Sequence, residues 1–114
     1  MRTVTLGVLS QDDFSKRFIA ASKGEQQGEY IGFATPALLF QTMTQLRWEI
    51  LEAMTGAGPL GLREIARRVG RDVRRVSDDV HALLNAGVID RSEDGAFEFP
   101  YDAVHVDFTL KAAA

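Results

Sequence analysis

The sequence predicts an α+β fold, and three observations lead there. Short apolar runs of period two flank a helical stripe near the N-terminus. Three one-faced helical segments follow between residues 44 and 86, and an Asp-Gly turn then joins two strand-like runs. With 114 residues, 46% hydrophobic and 25% charged, the chain has the composition of one soluble globular domain. A chain of that length buries enough surface to need no disulfide or metal staple. Its elements divide into an N-terminal arm at 1–43 and a module at 44–114.

In the arm, Val4, Leu6 and Val8 fall on one face of a strand. Ser10 is placed to cap a helix whose first turn carries Asp12 and Asp13, and Phe14, Phe18 and Ile19 give that helix an apolar stripe running to about Lys23. Residues 24–28 read as a polar turn and Glu29 to Phe33 as a second short strand. Thr35 then caps a helical turn with Pro36 in its first position. The arm is therefore β-α-β in outline.

In the module, Thr44 caps a helix with Leu46, Ile50, Leu51 and Met54 at helical spacing, and Gly56-Ala57-Gly58-Pro59 ends it. Trp48, the only tryptophan, lies off that stripe and is assigned to widening the core face. Leu62, Ile65, Ala66 and Val69 follow at i, i+3, i+4 and i+7, up to a terminating Gly70. Val73, Val76, Val80, Leu83 and Leu84 repeat the rule in a longer helix, with Asp72 as its cap and Asn85-Ala86-Gly87 as its end. Two short amphipathic helices this close together are the sequence form of a helix-turn-helix. Val88 to Arg91 and Ala96 to Phe99, joined by Ser92-Glu93-Asp94-Gly95, form a hairpin. Three helices and a hairpin make a winged helix-turn-helix. Last, Val104, Val106, Phe108 and Leu110 alternate with His105, Asp107 and Thr109 as a C-terminal strand.

Leu62 to Gly70, Asp79-Val80, Leu83, Gly87-Val88-Ile89, Asp94-Gly95 and Pro100-Tyr101-Asp102 before an alternating strand resemble a prokaryotic family of DNA-binding proteins with a MarR-like winged helix. The approach segment Ala34-Thr35-Pro36 through Thr44 and Arg47 extends the likeness to about residues 28–110. The resemblance implies a small transcriptional regulator, of a type that often sits beside a toxin gene as its antitoxin. Val73 stands where relatives carry a polar or aromatic residue after the helix-start Asp, and Ser77 and Asp78 stand where bulkier polar or basic residues are usual. The resemblance therefore carries no operator sequence to this chain.

Charge supports the same reading through its distribution. The formal net charge is -3, yet Arg63, Arg67, Arg68, Arg71, Arg74 and Arg75 face only Glu64 and Asp72 within residues 63–75, a local balance of +4. Arginine is the side chain suited to bidentate recognition of phosphate and guanine. Arg74 and Arg75, near the start of the second helix of the pair, are the base-reading candidates, and Arg63, Arg67, Arg68 and Arg71 the phosphate-holding ones. Ser77 and Asp78 are within reach of base edges, with an ion pair to Arg74 or Arg75 as the plainer role for Asp78. Arg91 on the hairpin is either a wing contact in the minor groove or an ion pair with the acids around it. A solvated helix face is the bland alternative for the whole cluster.

Other classes are excluded or weakened. There is no cysteine, and His81 and His105 lack metal partners at suitable spacing, so no metal or cofactor is expected. The acid pairs 12–13, 78–79 and 93–94 are adjacent rather than opposed, and no phosphate-binding or nucleophile motif is present, so no enzyme is expected. No signal peptide or membrane span is read, which leaves a soluble cytoplasmic protein. Built alone, the first and last strands would each leave an unpaired edge and an apolar face. The arm and the C-terminal strand are accordingly assigned to a homodimer interface, since two-fold readers of double-stranded DNA place their recognition helices about 34 Å apart. The rival reading is a protein-binding module holding a partner such as a toxin.

Overall fold

A computed structural model describes residues 1–9, 11–24, 28–110 and 112. The Ser10 cap and residues 25–27 of the first turn lie outside the described residues. The chain is α+β, with five helices and two small sheets among the described residues.

The arm contains β1 (Thr3–Val8), α1 (Gln11–Ser22), β2 (Glu29–Phe33) and α2 (Pro36–Thr42). Alternation decides β1: Val4 and Leu6 are fully buried while Thr3 is exposed. Thr35 caps α2 as its sequence predicts, its hydroxyl accepting from the Leu38 amide at 3.1 Å with Pro36 in the first turn. The module holds α3 (Gln45–Met54), α4 (Leu62–Val69), α5 (Val73–Asn85), the strands β3 (Asp90–Arg91) and β4 (Phe97–Glu98), and β5 (Ala103–Asp107).

The two candidate sticky strands pair with each other. β1 lies at the centre of a parallel three-stranded sheet in the order β2-β1-β5, with Leu6 opposite both Ile31 and Val106. The expectation that each would keep an open edge is corrected for β1, which has both edges filled; the outer edges of β2 and β5 are the ones left. Gly7 is required at the centre of this sheet by close approach: a methyl there would run into the Tyr30 hydroxyl and the Asp107 carbonyl. Arg2 ties the first and last segments further, its amide donating to Asp102 Oδ2 at 2.9 Å and its carbonyl accepting from the Asp102 amide at 2.8 Å.

One core runs through both halves of the chain. Val4, Leu6, Phe33 and Leu39 from the arm join Ile50, Leu51, Met54, Ile65, Val76, Val80, Leu83, Val88, Ile89, Phe97 and Phe99. In α3, α4 and α5 the stripes read from spacing are buried or packed against the core, except Leu46 in the first turn of α3, which is exposed, so that the core face begins a turn later at Ile50. Trp48 is half-buried against the core beside Leu51 and Val104. β5 ends at Asp107, before Leu110, and Val106 and Leu110 are exposed. The largest departure is α1. Phe14, Phe18 and Ile19 form the predicted helix, but all three point into solvent.

Candidate nucleic-acid interface

The local geometry of residues 61–99 positions the arginine cluster. α4 ends as its sequence requires. Gly70 adopts a left-handed conformation (φ 68°, ψ 37°), its amide bonds the Arg67 carbonyl at 3.3 Å, and the Arg71 amide reaches back to the Ala66 carbonyl at 3.1 Å. The chain reverses over three residues and α5 begins at Val73. Asp72 occupies the cap position there but its side chain makes no capping hydrogen bond, so the expected carboxylate cap is not formed. The β3-β4 hairpin follows α5 with the register Asp90 to Glu98 and Arg91 to Phe97. Leu60, between α3 and α4, adds a further antiparallel pairing, exchanging two 2.8 Å backbone bonds with Phe97.

The six arginines of the cluster divide into three environments. Arg63, Arg74 and Arg75 are exposed and make no ion pair among the described residues. Arg67 and Arg68 are exposed but share Glu64: Arg67 donates from Nε to Glu64 Oε1 at 2.8 Å, and Arg68 from Nε to Oε2 at 2.9 Å. Hydrogen bonds from Arg67 and then Arg68 hold the Glu64 carboxyl well below the ordinary carboxylate range, at about 2. Both guanidiniums stay at the surface on either side of one carboxylate.

Arg71 is the correction. Its side chain is only 19% exposed and donates from Nη2 to Asp79 Oδ2 at 2.8 Å, so it faces inward rather than standing with the phosphate-holding candidates. Asp79 receives a second guanidinium from the other side, Arg47 Nε at 3.0 Å, while Arg47 Nη1 reaches the Gln41 and Thr42 carbonyls at 3.4 and 3.3 Å. Burial opposes ionisation of Asp79, but the hydrogen bonds and charges of Arg71 and Arg47 outweigh it and the carboxyl lies below its ordinary value. This three-membered network ties the C-terminus of α2, the start of α3, the α4-α5 turn and the middle of α5 together. Spacing alone could not identify it, because its members are 8 and 32 residues apart.

The remaining candidates are placed as follows. Ser77 is half-buried and its hydroxyl lies 3.3 Å from His81 Nδ1, while that nitrogen donates to the Ser77 carbonyl at 2.8 Å. The His81 ring in turn meets Phe97 edge-on at 5.7 Å, docking α5 against the hairpin. Asp78 is exposed, and the ion pair with Arg74 or Arg75 is not formed among the described residues. Arg91 makes no ion pair with its acidic neighbours either. Its guanidinium lies 5.3 Å from the centroid of the Phe97 ring, a cation-π contact on the exposed hairpin. Among the described residues no group of His, Asp or Glu side chains is arranged to hold a metal ion, and no helix is long and apolar enough to cross a membrane.

The fold and this site define an α+β chain whose helix pair and hairpin carry a surface cluster of arginines. The chain belongs to the HVO_A0114 family, which matches residues 42–106 and so takes in α3, α4, α5, the hairpin and most of β5. No curated protein matches the chain.

Proposed function

We propose that this chain is a sequence-specific DNA-binding regulator, a dimeric and autoregulating repressor of the cytoplasm, built as a winged helix-turn-helix. In this reading α4 and α5 are the helix pair, α5 enters the major groove, and the hairpin, flanked by Leu60, is the wing. The observation that carries it is the placement of Arg74 and Arg75. They stand exposed in the first turn of α5 without an ion-pair partner among the described residues, while Val76, Val80 and Leu83 anchor the opposite face in the core. Surface arginines held only for solubility pair readily with nearby carboxylates; here Asp78 is one turn away and unused. Arg74 and Arg75 are assigned to base edges, where bidentate contact to guanine is the commonest specific pairing. Arg63, Arg67, Arg68 and, from the wing, Arg91 are assigned to phosphates or the minor groove. Arg71, turned inward, is assigned to positioning the α4-α5 turn.

The test is binding of the purified protein to the DNA upstream of its own gene, against a scrambled duplex of equal length. Six or more phosphate contacts predict a fall in affinity of about a thousandfold between about 50 and 200 mM salt. The Arg74→Ala/Arg75→Ala double variant, with its fold intact by circular dichroism, should lose the preference for the upstream duplex. Retention of that preference at physiological salt would remove α5 as the reading helix. Weak binding of the unmodified protein to both duplexes would instead favour a module that holds a partner protein, such as a toxin.

A further inference from the structure

α1 is docked the wrong way round for an ordinary amphipathic helix. Among the described α1 side chains Arg17 and Ala20 are half-buried and the rest exposed, and Arg17 stacks 4.6 Å from the Tyr30 ring centroid and donates to the Gly28 carbonyl at 3.0 Å. Arg17 thus ties the helix to β2 and the residue just before it. The apolar side faces out, with Phe14, Phe18 and Ile19 at 61, 69 and 51% exposure around a shallow depression over Ser15. A helix that presents its apolar stripe outward leaves a surface that water disfavours.

We infer that this face of α1 is the interface with a second copy of the same chain. The inference rests on the proposed function only for the number of copies bound to DNA. Area is the first argument. At about 200 Å² of surface for each large apolar residue, the three exposures leave on the order of 350 Å² of apolar surface. A stable interface of standard size buries about 800 Å² per partner, a little over half of it apolar, so the stripe supplies most of the apolar part. Self-complementarity is the second. A two-fold interface must accept its own image. The midpoint of α1 lies between Lys16 and Arg17, which puts Phe14 and Ile19 at mirror positions and Ser15 opposite Phe18. An antiparallel pair of α1 helices therefore brings Phe14 of one copy onto Ile19 of the other, and seats each Phe18 over the small Ser15 of its partner. The i, i+4 rows Phe14-Phe18-Ser22 and Ser15-Ile19-Lys23 are two ridges with a groove between them, the pattern that packs on itself at a crossing angle of about -50°.

Sedimentation equilibrium of the full chain without DNA tests this. The expected mass at about 0.1 mM is twice 12.6 kDa. Phe18→Glu should return the mass to that of one chain, with an unchanged circular dichroism spectrum because Phe18 makes no core contact. Phe40→Glu, which alters another exposed phenylalanine on α2, should leave the dimer intact. A single-chain mass for the unmodified protein, or a dimer that survives Phe18→Glu, overturns the inference. Loss of specific DNA binding with the dimer preserved would instead count against the DNA reading and leave this interface standing.

Discussion

Asp79 is the residue on which the module's geometry turns. Among the described residues its carboxylate is the one anion paired with the guanidiniums of Arg47 and Arg71, and all three side chains are largely buried. Asp79→Asn keeps the shape and removes the charge, leaving two cations facing one neutral amide. The expected cost is about 2 kcal/mol, seen as a lower urea midpoint with an unchanged slope. The pH dependence follows from the direction of the shift. Asp79 titrates below its ordinary value in the folded chain, so its contribution is complete above the unfolded carboxyl value of about 4 and is lost as pH falls through its own lower value. The difference between the unmodified chain and Asp79→Asn should therefore be constant from neutral pH to about 5 and shrink in more acid solution. Under the proposed DNA binding, Glu64 poses the opposite case: it sits between Arg67 and Arg68, so a phosphate bound there would have to share or displace it. Glu64→Gln should raise affinity for any duplex and steepen the salt dependence by up to about two phosphate equivalents, with little change in preference between duplexes.

At the scale of elements, the sequence was most legible where structure is set by neighbours along the chain. Thr35 with Pro36, Thr44 and the left-handed Gly70 are local devices, and each terminates or starts a helix where its type predicts. The stripes of α4 and α5 and the Asp94-Gly95 turn are read from spacing for the same reason. Legibility fails where the partner is remote. No local signal says that β5 pairs with a strand about 100 residues earlier, and parallel to it, or that Asp79 is shared by Arg47 and Arg71. α1 shows a further limit: its period gave the helix, but period does not say which side meets the sheet. Of the six arginines in residues 63–75, five stand at the surface as charge alone suggests, and Arg71 does not because the Gly70 reversal turns it toward α5. The sheet can be probed at its closest point. Gly7→Ala forces both the Tyr30 hydroxyl and the Asp107 carbonyl to move, and a carbonyl in a strand cannot move cheaply. A loss of about 1–3 kcal/mol is expected. A fall in thermal midpoint of several degrees measures it, and an unchanged midpoint would mean that β5 is not held against β1 as described.

At the scale of the whole molecule, the arm and the module share one core rather than meeting as two bodies. A division at residue 43 is natural in sequence, because the helical signals sharpen there and the family match begins at residue 42. Packing argues otherwise. β1 is the central strand, and without it β5 loses the strand it pairs with among the described residues. Val4, Leu6, Phe33 and Leu39 are buried in one cluster with residues of the module's helices and hairpin, and each such side chain is worth about 1.5–3 kcal/mol of burial. Their loss removes on the order of 6–12 kcal/mol, as much as the entire stability of an ordinary domain. A chain truncated to residues 44–114 should therefore lack a cooperative thermal transition and bind a hydrophobic dye, even though it retains every arginine of the cluster. Restoring residues 1–43 as a separate peptide should recover part of the transition, since that peptide carries both β1 and β2 and can offer the free edge of β1 to β5. A sharp, dye-free melt from the truncated chain would show that the helices and hairpin close a core on their own, and would move β1 from keystone to appendage.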